Sequence, residues 1–269
     1  MRVFAGPNGS GKSTMYQQVR SSKVDGRSID LGIYVNPDDI AKQIRKTRRL
    51  DLGKFGLSSS SRVRFGRYLG RTTLIPSKLT RADARAWISW SGVQVHLAMG
   101  ADVDRVAQLL TQFICDELLR GRKKFSFETV FSDPSKLVMM EKANALGYKV
   151  YLYFIATNDP EINIDRVKTR VEKGGHAVDP HIVEQRYYRS LDQLQPAIPL
   201  TYHSFLFDNS STRPTMFAEY KRIASGPYWW LDHDAMPTWF NSYYLSKERA
   251  QDMRTALDKA VVAWALRTP

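Results

Sequence analysis

The chain has 269 residues, 43% apolar and 12% aromatic, which suits one large domain or one domain with an elaboration. It contains no apolar run of the roughly 18 residues a membrane-spanning helix needs, and its single cysteine, Cys115, excludes an internal disulfide. A formal net charge of +13 points to anionic partners: nucleotides, nucleic acids or acidic proteins.

Arg2–Ala5 reads as a short apolar strand. It runs into Gly6-Pro7-Asn8-Gly9-Ser10-Gly11-Lys12-Ser13, which meets the phosphate-binding pattern G-x-x-x-x-G-K-[ST] at every fixed position. A helix is predicted from Lys12 to Ser21. In such a loop backbone N–H groups point at phosphate oxygens at a helix N-terminus. Glycines are needed because a Cβ would block that approach. Residues Gly6 to Thr14 are therefore the expected ATP-binding segment. Lys12 would reach the β- and γ-phosphates, and the Ser13 hydroxyl would ligate Mg²⁺. A strand and a phosphate loop at the first residues leave no place for a secretory signal. With the lone cysteine, this suggests a reducing cytoplasm.

A second strand over Gly32–Asn36 leads into Asn36-Pro37-Asp38-Asp39 and a helix over Pro37–Arg49. Two readings compete there. Asn36, Pro37 and the two acids make a good helix start. Alternatively, Asp38 faces the phosphate loop as the base that takes a proton from an acceptor hydroxyl. Between Arg45 and Arg85 stand twelve lysines and arginines against Asp51 and Asp83 alone. That block is either a solvated basic face or a grip for a nucleic acid, a nucleotide or an acidic protein. Residues 51–100 show no clear period and read as an insertion, partly loop and partly helical, with one short helix over Ala82–Trp90.

Further on, Val103–Leu119 is a helix whose apolar stripe takes Cys115 into the core. Lys124–Thr129 is a strand that delivers Glu128 to the upper edge of the sheet, either to bind substrate hydroxyls or a Mg²⁺-bound water, or as a cap or surface loop. A helix over Lys136–Leu146 and a strand over Lys149–Ile155 follow. Helices over Pro160–Glu172 and Pro180–Leu191 are joined at Gly174-Gly175-His176. They carry Arg166, Arg170, Arg186 and Arg189, and they look like a lid whose arginines close on a triphosphate. His176 reads as a turn residue. Ser204–Phe207 is a strand ending in Asp208-Asn209-Ser210-Ser211, a turn that either touches adenine or is a plain loop. The aromatic stretch from Pro227 to Tyr244 and a helix over Lys247–Leu266 are expected to pack on the sheet. Residues 1–225 thus form one domain with an insertion at about 51–100, and 226–269 a C-terminal extension. Strand–helix alternation predicts an α/β fold: a three-layer sandwich with a mostly parallel sheet, helices on both faces, a helical lid and the basic insertion.

The stretches AGPNGSGKST (5–14), YVNPDDIA (34–41), FSFETVFSDPSKL (125–137), the segment 146–178 containing RVKTRVEKGGH, RYYRSL (186–191) and FDNSS (207–211) together resemble the zeta toxin family of P-loop kinases. The resemblance implies an ATP-dependent kinase acting on the amino-sugar 3′-hydroxyl of UDP-N-acetylglucosamine, with an antitoxin as protein partner. It implies Asp38 as general base, Lys12 as phosphate-loop lysine, Arg170 and Arg186 as lid arginines, and Glu128 and Thr129 as sugar-nucleotide ligands. Val130 departs from the family pattern, where a second threonine follows the glutamate. Asp179-Pro180 departs likewise, and the basic insertion is longer than in short members. Two other functions stay open: a kinase for a nucleic-acid end or a dinucleotide, and a non-catalytic ATP-gated module that binds an acidic protein.

Overall fold

The computed structural model describes residues 1–71, 79–175 and 177–251. Lys78, His176, and the end of the expected C-terminal helix and extension beyond residue 251 lie outside the described residues. The fold is α/β with a mostly parallel central sheet and helices on both sides, as the alternation predicts. Among the described residues no helix is long and apolar enough to cross a membrane.

In chain order the elements are β1 (Arg2–Ala5), α1 (Lys12–Ser21), β2 (Lys23–Val24), β3 (Arg27–Ser28), β4 (Ile33–Val35), α2 (Pro37–Thr47), β5 (Arg49–Asp51), a 3₁₀ turn (Leu52–Phe55), α3 (Ser61–Arg71), α4 (Arg81–Trp87), β6 (Ile88–Ser91), β7 (Gln94–Leu97), α5 (Val103–Arg120) and β8 (Phe125–Thr129). There follow α6 (Ser135–Ala145), β9 (Tyr151–Ala156), α7 (Pro160–Glu172), α8 (Pro180–Asp192), α9 (Leu194–Ala197), a 3₁₀ turn (Ile198–Leu200), β10 (His203–Asp208), β11 (Thr215–Ile223), β12 (Gly226–Leu231), α10 (Thr238–Phe240) and a π-helical turn (Asn241–Leu245). The seven-stranded sheet has the order β12-β11-β10-β9-β1-β8-β4. β4 runs parallel to β8, and β9 parallel to β10, while β11 and β12 add an antiparallel hairpin. The order reverses at β1. In open α/β sheets ligands collect beyond the strand ends at such a reversal, and β1 is the strand that delivers the glycine-rich loop.

By packing, the chain divides into two compact units. The first comprises Met1–Phe4, Ser13–Thr129 and Lys142–Tyr148, and the second Ala5–Lys12, Val130–Glu141 and Lys149–Pro269. In the first unit α5 buries Val106, Leu109, Leu110, Phe113, Ile114 and Leu118, with Cys115 among them as expected. The basic insertion is more ordered than its sequence suggests. It holds a three-stranded antiparallel sheet of order β5-β7-β6. The expected helix over Ala82–Trp90 stops at Trp87, where the chain turns into β6. Two short strands joined at Gly92 (φ +59°) bury Ile88, Val95 and Leu97. Each strand is only four residues long, too short for a legible period of two. α3 buries Phe65 and Leu69, and Phe65 meets Phe113 edge-on at 5.1 Å. Burial of a side chain of this size contributes about 2 kcal/mol. Not all of the basic block is solvated: Arg64 pairs with buried Glu117, while the Arg45–Asp104 pair stays at the surface.

In the second unit the aromatic stretch after residue 226 contributes both a sheet strand and buried rings. Trp239, Phe240 and Tyr244 are buried, and Phe240 stacks on Tyr244 at 5.0 Å and meets Phe217 at 5.2 Å. The strands β11 and β12 were not foreseen. Ile223 pairs with Gly226, so residue 225 lies in the turn of a hairpin whose two strands both belong to the central sheet.

Candidate functional site

Three of the expected phosphate-loop glycines adopt backbone that side chains resist. Gly6, Gly9 and Gly11 have φ of +143°, +73° and +98°. Their surroundings leave no room for a Cβ either. At Gly6 it would stand 1.9 Å from the Ile155 carbonyl oxygen, at Gly9 2.6 Å from the Asn163 carbonyl oxygen, and at Gly11 2.5 Å from Asn209 Nδ2. The Lys12 ammonium folds back over the loop and donates to the carbonyls of Gly6 at 2.9 Å and Pro7 at 2.7 Å. Phosphate oxygens bind an ammonium more strongly than neutral carbonyls do. Ser10 and Asn8 are buried in the same loop, and Thr14 is exposed in the first turn of α1.

Two residues that sequence reasoning did not single out brace this loop. Asn163, fully buried on α7, donates from Nδ2 to the Asn8 carbonyl and accepts from the Thr157 hydroxyl. Asn209, just past β10, donates to the Ser10 carbonyl at 2.8 Å. The turn 208–211, left open above between adenine contact and plain loop, is therefore a brace. Arg166, one of the expected lid arginines, donates to the carbonyls of Asn209 and Ser211 at 2.8 and 3.1 Å, and so secures that brace. The signal was present in FDNSS and in the asparagine four residues into the helix after β9, but nothing in a single sequence tells a buried bracing amide from a surface one.

In the first unit the chain continues at Ser13, next to Lys12. The Ser13 hydroxyl donates to a Glu128 carboxylate oxygen at 2.8 Å, and Tyr34 donates its phenol to the other oxygen. Asn36 supports this arrangement twice: its Oδ1 caps α2 by accepting from Asp38 N at 2.9 Å, and its Nδ2 donates to the Tyr34 oxygen at 2.9 Å. Tyr34 stacks on Tyr16 at 3.8 Å. Its phenol is pushed up from the ordinary tyrosine range by burial, then by the Glu128 charge and hydrogen bond, so it is a donor at any physiological pH. Glu128 and Thr129 are both buried at the end of β8, where the strand was expected to deliver them.

Asp38 and Asp39 occupy the first turn of α2, exposed as residues. The Asp39 carboxyl is pushed up first by desolvation and then by the charge of Asp38. The helix-start reading of this segment is correct, with Asn36 as the cap and Pro37 in the first turn. Arg170 and Arg186 are half-buried on α7 and α8, which pack against each other. Gly174 (φ +81°) ends α7, and Gly175 N donates to the Arg170 carbonyl at 2.9 Å, so the Gly-Gly turn is a helix stop. Among the described residues no group of three or more His, Cys, Asp or Glu side chains is arranged to hold a metal ion. Mg²⁺ in phosphoryl-transfer sites is held by one or two protein groups together with phosphates and water, and the Ser13–Glu128 pair has that donor set.

The zeta toxin family model matches residues 95–204. A Haemophilus influenzae protein without an assigned function is 40% identical over 63 residues, 23% of this chain and 45% of that one. Among solved structures, the AvrRxo1-ORF1:-ORF2 complex with ATP aligns at TM-score 0.48 and 13% identity, covering 87% of this chain and 60% of that one. A structure from the PezAT chromosomal toxin–antitoxin system of Streptococcus pneumoniae aligns at TM-score 0.46 and 11% identity, covering 80% of this chain and 68% of that one. The chain thus spans under half of the curated relative and three-fifths of the AvrRxo1 complex chain. Through residues 95–204, the chain is similar to the zeta toxin family.

Proposed function

We propose that the protein is an ATP-dependent kinase that transfers the γ-phosphate to a hydroxyl of a sugar-nucleotide, with the amino-sugar 3′-hydroxyl of UDP-N-acetylglucosamine as its first candidate acceptor. The observation that carries this reading is the glycine-rich loop itself: three glycines in backbone closed to other residues, braced by Asn163 and Asn209, with a lysine ammonium parked on its carbonyls. Ser13 and Glu128 would hold Mg²⁺, which neutralises charge on the phosphate oxygens when bound. Lys12 moves from its two carbonyls to the β- and γ-phosphates. Asp38 takes the proton of the acceptor hydroxyl, and Arg170 and Arg186 offset the charge that develops on the transferred group. Glu128 and Thr129 are also assigned to the acceptor, since a buried carboxylate bonded to two hydroxyls can orient a third. On this reading residues 1–225 with their insertion form the kinase and 226–269 its extension. The protein works in the cytoplasm, restrained by an antitoxin.

The test is incubation of the purified chain with γ-labelled ATP, Mg²⁺ and a panel of sugar-nucleotides. Label is expected in the amino-sugar nucleotide. If label leaves ATP for none of the panel, the assigned acceptor class is wrong. A second reading, a kinase for a nucleic-acid end or a dinucleotide, draws on Arg62, Arg67 and Arg71, exposed along α3. It predicts an oligonucleotide acceptor and activity that falls steeply with salt.

A further inference from the structure

The second unit contains a cavity of about 450 Å³ at the start of α7, the middle of α8 and the π-helical turn. Its size is within the range of about 300–1,000 Å³ usual for small-molecule sites. Three carboxylates line it, Asp159, Glu161 and Glu184, and its aromatic wall includes Tyr188, Trp239 and Tyr243. None of the lining residues is Lys, Arg or His, although the chain carries 40 lysines and arginines against 27 acids. Carboxylates at this density repel phosphates, so neither ATP nor a sugar-nucleotide suits the cavity.

The aromatic wall has the geometry of a cation receptor. The rings of Tyr188 and Tyr243 lie 26° from parallel with centroids 6.5 Å apart, and Tyr188 is 40% exposed. Tyr187 meets Tyr188 edge-on at 5.2 Å and is anchored by its phenol to the Thr157 carbonyl at 2.6 Å. Trp239 is fixed by its indole N–H on Asp208 at 3.1 Å. The wall already receives one ammonium from its own chain: Lys247 Nζ stands 5.6 Å from the Tyr243 ring centre while bonded to Asp192 at 2.7 Å. Ring faces attract cations through their quadrupole, and nearby carboxylates add to the pull. The Tyr187 and Tyr243 phenols are pushed up, mainly by burial and then by their phenolic and acidic neighbours, so the rings stay neutral at physiological pH.

We propose that this cavity binds an organic cation, a guanidinium or primary ammonium group on an aliphatic stem, with the stem against Tyr188 and Tyr243 and the head at Glu161 and Glu184. The shared chemistry has two sources: a free diamine-type metabolite, or an arginine side chain of a partner protein. The site does not depend on the kinase reading, because none of its residues belongs to the phosphate loop or the Ser13–Glu128 group.

The experiment is calorimetric titration of the full chain with agmatine. A parallel titration uses a short peptide with one central arginine, alongside the same peptide carrying citrulline. Saturable binding of agmatine is expected for a free metabolite, and binding of the arginine peptide alone for a partner side chain. In either arm, Glu161→Gln and Glu184→Gln are expected to weaken binding about fivefold each, Tyr243→Leu by a similar factor, and Tyr243→Phe hardly at all, since it keeps the ring. Thermal melts and ATP affinity of each variant establish that it is folded. The proposal is overturned if neither probe binds, if the citrulline peptide binds as tightly as the arginine peptide, or if folded Glu161→Gln/Glu184→Gln protein binds as wild type does.

Discussion

Replacing Asn163 by alanine tests whether the phosphate loop is shaped by its braces or by its own sequence. Asn163 is fully buried, and its amide supplies a donor to the Asn8 carbonyl. Thr157, which donates to Asn163, keeps its bond to the Asp159 carbonyl at 3.1 Å, so truncation strands only the Asn8 carbonyl. A buried acceptor left without its donor costs about 1–3 kcal/mol, giving roughly 2 kcal/mol here. For a unit of this size that lowers the melting temperature by about 4–8 °C. The loss should fall on the loop, where each 1.4 kcal/mol is tenfold, so ATP affinity should drop about thirtyfold. Asp165→Ala, an exposed position on the same helix, is the control and should change neither quantity. Differential scanning fluorimetry and ATP titration read the two effects. An Asn163→Ala protein that melts and binds ATP as wild type does would refute the bracing argument.

Gly6→Ala should abolish ATP binding or prevent folding, because its Cβ meets the Ile155 carbonyl oxygen at 1.9 Å. Gly26→Ala, at φ +75° with nothing within 4 Å, should cost only about 1 kcal/mol of backbone strain, and urea melts compare the two. Tyr34→Phe removes one donor to the buried Glu128 carboxylate and should cost about 2 kcal/mol in stability, with a measurable fall in Mg²⁺·ATP affinity by calorimetry. Asp39 has its folded pKa raised above the ordinary 3.8, so ionising it opposes folding: its favourable contribution exists below that value and is lost as pH rises through the folded value. Asp39→Asn should therefore stabilise the protein at pH 7, with a gain that vanishes toward pH 3 in melts across pH. A gain that grows on acidification would reverse the sign.

The parts of the fold that sequence could show are those with strong local signals. β1, α1 and α7 begin and end where the glycine-rich loop, the Asp159-Pro160 start and the Gly-Gly stop put them. Asn36 caps α2 because a side-chain oxygen two residues ahead of an N–H is a purely local device. The small sheet of the insertion was illegible because its strands are too short to show alternation and β5 joins the β6–β7 hairpin by pairing across more than 40 residues. β11 and β12 were missed for a related reason. Tyr228, Trp229 and Trp230 look like a single aromatic patch, and only pairing with β11 separates the half-buried Trp229 from the exposed Tyr228 and Trp230. In the site, residue types with fixed spacing were readable: Gly6, Lys12 and Ser13. Asn163, Asn209 and Tyr34 were not, since each acts through a partner between about 90 and 200 positions away and carries no pattern of its own.

The central claim is that a hydroxyl metabolite gains the γ-phosphate of ATP. Mass spectrometry of the metabolite pool after brief expression tests it without presupposing the acceptor, comparing wild type with Lys12→Ala and Asp38→Asn. The account predicts one metabolite heavier by a single phosphoryl group in wild type and absent from both variants. A pool unchanged by wild type, or the same phosphorylated metabolite made by Lys12→Ala, would contradict it.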